Sequence, residues 1–173
     1  SAGCRAVDFV KSARAPDGFF ACEAAGLRWL ADATDGVPCA RVLAVDEGAL
    51  TLERLQTAAP SRAAAHEFGA RLACTHAAGA DGYGAPPAGW SGPGFFGPLQ
   101  QPLPMAYARE ESWGAFYARC RLAPMAALAA RHLDTVTRDA IAAVEKRCSD
   151  GDFDDDDEPC RIHGDLWSGN VMW

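Results

Sequence analysis

The sequence is almost without lysine: of its 16 basic side chains only Lys11 and Lys146 are lysines, and fourteen are arginines. A lysine that ends an apolar strand therefore stands out. There is no CxxC pair, and the seven cysteines (Cys4, Cys22, Cys39, Cys74, Cys120, Cys148, Cys160) are odd in number. That excludes a paired disulfide scaffold and the common zinc patterns, and it reads as a reducing compartment with most thiols as small packed groups. No apolar run reaches membrane-spanning length, and no basic-then-apolar leader opens the chain, although Ser1 is not a natural start. A cytoplasmic location, with an organelle also compatible, and no membrane partner are expected. There is no excess of positive charge either. The net charge of −7 argues against nonspecific nucleic-acid binding, and the seven acidic residues between Asp150 and Glu158 account for all of it. What remains is a chain of 173 residues, 49% hydrophobic and without internal repeats. It is long enough for one sizeable core or two small lobes around a cleft.

The most informative stretch is the last one, Ile162-His163-Gly164-Asp165-Leu166-Trp167-Ser168-Gly169-Asn170. A His-x-Asp followed by an Asn at this distance is the spacing of a phosphotransferase catalytic loop. A phosphoryl acceptor hydroxyl needs a carboxylate to orient it and take its proton, and Asp165 fits that role. Nucleotide phosphates need a metal, and the amide oxygen of Asn170 is a hard ligand suited to Mg²⁺. The bare spacing also fits a polar turn between strands.

The other parts of such an enzyme occur in the right order. Val7 to Lys11 reads as a strand, and Asp17 to Ala31 as a helix with Phe20, Ala24, Leu27 and Ala31 on one face. Lys11 ends the strand and Glu23 sits in the helix, the arrangement in which a lysine contacts nucleotide phosphates and a glutamate holds it. The alternative is a strand-end lysine and a solvated helix glutamate. Arg41–Val45 and Ala49–Leu55 read as a hairpin around Asp46-Glu47-Gly48. The backbone of Glu53 to Leu55 would then meet the adenine edge of ATP.

The wording His-Gly-Asp-Leu-Trp-Ser-Gly-Asn resembles the catalytic loop of the fructosamine-3-kinase, or ketosamine (ribulosamine) kinase, family. So do Phe-Val-Lys near the start, Glu23-Ala24 with Gly26, Leu27 and Leu30, and Trp113, Phe116, Tyr117, Arg121 and Leu122. The resemblance implies an α+β, protein-kinase-like fold (aminoglycoside-phosphotransferase-like), with a nucleotide-binding lobe over residues 1–55 and a partial helical lobe over 56–173. It implies ATP and Mg²⁺, and glycated small amines or glycated proteins as acceptors. It carries Asp165 as catalytic residue, Asn170 as metal ligand, and Lys11, Glu23, Gly3, Glu53 and Leu55 as nucleotide contacts. Gly3-Cys4 is similar to the end of the family's glycine-rich loop, where Cys4 would be the most oxidisable of the seven thiols, a homodimer through Cys4 being one consequence. The family's metal-binding aspartate follows the catalytic loop and is not within the sequence, which reads as truncated there. Another small-molecule kinase, of aminoglycoside or choline type, and a non-catalytic kinase-like fragment are the alternative readings.

The remaining segments are expected as helices. The helix 61–76 should pack Ala65, Phe68, Gly69, Leu72, Ala73 and His76. One capped by Ser112 and another from Pro124 to Leu133 follow, then one capped by Asp134 with Val136, Ala140, Ile141, Val144 and Cys148 inward. Residues 79–104, rich in Gly and Pro, are expected as a long loop. The acidic run lacks the glycine and glutamate spacing of a calcium loop and reads as a solvated surface loop.

Overall fold

The computed structural model describes residues 8–173, so Gly3 and Cys4 lie outside the described residues. The expected α+β arrangement is present. Strands β1 (Phe9–Ser12), β2 (Val42–Val45) and β3 (Ala49–Leu52) form an antiparallel sheet in the order β1-β3-β2. The β2–β3 turn is set by Asp46, whose carboxylate accepts from the Gly48 N–H at 2.8 Å. Helix α1 (Phe19–Ala31) covers one face of the sheet. Phe20 and Leu50 are 1% and 0% exposed, and with Phe19 and Ala24 they form the core between helix and sheet. In β1, Lys11 stands opposite Leu50, and directly paired residues of an antiparallel ladder share a face. Lys11 therefore emerges on the side that α1 covers.

The rest of the described chain is mostly helical. Helix α2 (Arg62–Ala77) starts at Ser61, whose hydroxyl accepts from the Ala64 N–H. Helices α3 (Trp113–Tyr117) and α4 (Ala123–Ala129) are joined by a π-helical turn at Ala118–Leu122 into one continuous run, followed by α5 (Thr135–Ser149). Ser112 and Asp134 cap α3 and α5 as expected, each side chain accepting from the third residue of its helix. Gly114 lies so close to α5 that a Cβ there would overlap the Cys148 carbonyl.

Several expectations change. The segment 79–104 is not all loop: β4 (Gly94–Phe96) and β5 (Leu103–Met105) pair antiparallel, and Phe95 packs on Phe19 of α1 at 5.3 Å between ring centres. Strand β3 stops at Leu52, three residues earlier than expected, and no regular structure follows until α2. In α2 the covered edge runs through Ala64, Phe68, Leu72 and Thr75, while Ala65, Gly69 and Ala73 are exposed. In α5, Val136 and Val144 are 78% and 44% exposed and Ala140 is also exposed; Cys148 alone of that expected stripe is fully buried. The acidic segment is the exposed surface loop expected, and it is in addition tied down. Asp154 accepts from the Gly114 N–H at 2.7 Å, a carboxylate at the positive end of α3, and Asp150 and Asp152 pair with Lys146 and Arg147.

Candidate active site

Lys11 and Glu23 are brought together by the sheet and the helix that packs on it. The Lys11 ammonium donates to both carboxylate oxygens of Glu23, at 2.7 and 3.0 Å, and lies 5.8 Å from the centre of the Phe19 ring. The two side chains are 32% and 31% exposed. This half-buried pair with two hydrogen bonds is fixed in direction and can still reach a ligand from the open side.

Asp165 and Asn170 meet at the other end of the chain. Residues 162–170 have no regular structure except a 3-10 turn at Ser168–Asn170, and all are exposed. Gly164 has φ +82°, a left-handed conformation that favours glycine, and it turns the chain so that the Asp165 N–H donates to Nδ1 of His163 at 3.2 Å. The Asn170 amide donates to the Asp165 main-chain carbonyl at 2.8 Å and to its carboxylate at 3.0 Å. With the nitrogen engaged, the amide oxygen of Asn170 is the atom left to meet a cation. That donor is hard and suits Mg²⁺, which keeps several waters and binds through one or two protein oxygens and the substrate phosphates. Among the described residues, no group of three or more His, Cys, Asp and Glu gathers around a point where a metal could sit.

Glu53 lies just past the end of the central strand β3. Its N–H donates to the Arg41 carbonyl at 2.9 Å and its carboxylate accepts from the Arg41 N–H at 2.8 Å. Leu55 and Glu53 line a cleft of about 600 Å³ that Asn170 also lines. A second cleft, of about 690 Å³, lies between α1 and the α3 run and is lined by Cys22, Trp29, Tyr107, Phe116, His163 and Gly164. Neither cleft is lined by Lys11, Glu23 or Asp165, so the structure does not gather the expected site residues into one cavity. In the larger cleft the Cys22 thiol lies 3.4 Å from the Tyr107 hydroxyl. Burial pushes both groups up, the tyrosine far above its ordinary range.

Sequence reasoning missed two contributors. His163 orients Asp165 through its ring nitrogen, a role that the motif itself could have suggested. Arg161 contacts a main-chain carbonyl of α1 and two just past the end of α2, which no local signal announces.

Comparison with known proteins decides the family. A family model described as fructosamine kinase matches residues 5–173. The chain belongs to the fructosamine kinase family. A Synechocystis protein named as a ketoamine kinase is 32% identical over 155 residues, covering 87% of this chain and 49% of that one. A crystal structure from Thermobifida fusca, of a protein bearing the name fructosamine-3-kinase, is 36% identical with a TM-score of 0.81. It covers 96% of this chain and 56% of its own. The fold of this fructosamine kinase family member is accordingly α+β and kinase-like, and the chain spans about half the length of the relatives it matches. Among the described residues no helix is long and apolar enough to cross a membrane.

Proposed function

We propose that this chain belongs to an ATP-dependent ketosamine kinase that phosphorylates a sugar hydroxyl of fructosamine or ribulosamine adducts on small amines or proteins, the chemistry of a deglycation repair step. The observation that carries the reading is the Lys11–Glu23 pair, 2.7 Å apart, in a chain of this family that carries the His163-to-Asn170 loop. The division falls near residue 55, with a nucleotide-binding lobe before it and a helical lobe after it.

In this reading Lys11 contacts the α- and β-phosphates and Glu23 holds it in place, while the backbone of Glu53 to Leu55 meets the adenine edge. Asn170 would hold Mg²⁺, which when bound would neutralise charge on the phosphates. Asp165 orients the acceptor hydroxyl and takes its proton as the oxygen bonds to the γ-phosphorus and ADP departs. Asn170 and His163 fix Asp165 for that task from two sides, the amide on its carboxylate and the imidazole on its N–H.

The test is an acceptor panel with the full-length protein, ATP and Mg²⁺: a fructosyl amine, a ribosyl-derived ketosamine, an aminoglycoside and choline. Phosphorylation of the ketosamines at rates well above the other two is expected. Preference for the aminoglycoside or choline would overturn the acceptor class.

A further inference from the structure

Arg161 stands four residues before Asp165, and among the described residues its side chain meets main-chain carbonyls rather than a carboxylate. It lies where two helices end. Nη1 donates to the Trp29 carbonyl of α1 at 2.6 Å, and Nε and Nη2 reach the Gly79 and Ala78 carbonyls, just past α2, at 3.4 Å. Trp29 lies in the last turn of α1, where carbonyls have no partner within the helix. A guanidinium is the right group for this place. It carries five donors in a planar fork, and positive charge is favoured where helix dipoles end. The same guanidinium lies 4.6 Å from the centre of the Trp29 ring, in cation–π contact. Its backbone is anchored too: the Arg161 N–H donates to the His76 carbonyl, and the Ala80 N–H to the Pro159 carbonyl.

Trp29 and Glu23 share helix α1, while Arg161 leads directly into His163 and Asp165. One side chain thus links the helix that aims Lys11 to the segment that presents Asp165. We propose that Arg161 is a positioning residue that fixes the distance and orientation of the catalytic loop relative to α1, so that the phosphate-binding pair and the acceptor-orienting carboxylate address one substrate. This rests on the kinase reading above. Lysine cannot substitute, because a single ammonium cannot form the fork or stack flat on the indole.

The test uses the full-length protein with Arg161→Ala and Arg161→Lys, each in the wild-type and the Glu23→Gln background. A displacement on the order of 1 Å can cost up to about a hundredfold in rate, so a loss in kcat of about tenfold or more is expected for Arg161→Ala. Arg161→Lys should recover little of it. In the Glu23→Gln background, where α1 no longer aims Lys11, the same change should cost distinctly less, because the two act through one element. A purely structural role predicts equal fold losses in both backgrounds, and that result, or no loss at all, overturns the proposal. Hydrogen exchange supplies a readout independent of turnover. Both Arg161 variants should lose protection together at residues 29–33 and at the amides of Ala80 and residue 161, which tie the segment leading into the loop, while α5 keeps its own. Unchanged exchange at either stretch, or equal loss everywhere, overturns it too. If the wild-type protein transfers no phosphoryl group, the kinase reading fails, and the exchange result still decides whether Arg161 couples the two elements.

Discussion

Lys11 and Glu23 meet on the covered face of a sheet, whereas Asp165 and Asn170 meet on a loop that is exposed along its whole length. The first pair is placed by the core: Leu50 and Phe20 behind it are almost wholly excluded from water, and the positions of strand and helix follow from their packing. The second is placed by short-range hydrogen bonds, by one left-handed glycine and by Arg161 reaching across to α1. Damage to the core should therefore unfold the first pair with everything around it. Damage to the loop should impair chemistry while leaving the fold nearly intact.

The largest stability effect belongs to the core side. Phe20→Ala should destabilise by about 3–5 kcal/mol, the usual cost of emptying a phenylalanine site, measured by urea denaturation. Gly164→Ala forces a side chain into φ +82° at an open position, at a local cost of about 1–2 kcal/mol. Because the loop is exposed and can relax, the melting temperature should fall far less than for Phe20→Ala while turnover drops. A melting temperature lowered as much as by Phe20→Ala would break the comparison. Glu23→Gln should cost less than about 1 kcal/mol of stability, since the pair is nearly one-third exposed and partly screened. Turnover should nevertheless fall clearly, because Lys11 loses its orienting carboxylate; a loss of stability without loss of turnover would contradict the assigned role.

The smallest effect concerns pH. Hydrogen bonds from Thr137 hold the Asp134 carboxyl below its ordinary value of 3.8. The folded pKa is depressed, so this cap stabilises α5 above the unfolded value and the contribution disappears as pH falls through the folded one. Asp134→Asn keeps an N-cap but not the charge. The variant should lose the corresponding acid-limb slope in a melting-temperature profile while remaining folded at neutral pH.

Parts of this were legible in the sequence because they follow local rules. Lys11 is one of only two lysines and lies near the end of a strand, Glu23 lies at helical spacing among Phe20, Ala24 and Leu27, and Ser61, Ser112 and Asp134 are helix caps by residue type. The His163-to-Asn170 loop carries its own wording. Other parts depend on partners far away in sequence. The buried edges of α2 and α5 were hard to assign because alanine occupies both faces: Ala64 is partly covered while Ala65 and Ala73 are exposed, and their side chains are equally apolar. The β4–β5 hairpin has three-residue strands amid Gly and Pro, and it becomes visible only through Phe95 packing on Phe19. Asp154 in an acidic run looks like solvated charge until the N-terminus of α3 is placed beside it.

The most direct test is phosphoryl transfer itself, with full-length wild-type protein and Asp165→Asn, a fructosyl amine, ATP and Mg²⁺, followed by mass spectrometry of the acceptor and by titration of nucleotide binding. Wild type should yield phosphorylated ketosamine. Loss of a general base costs roughly two to four orders of magnitude, so Asp165→Asn should be slower by about a thousandfold. Its nucleotide affinity should stay within about twofold, because the proposed role of Asp165 is to serve the acceptor and not ATP. Absence of product from wild type, or equal turnover in the variant, would contradict the account.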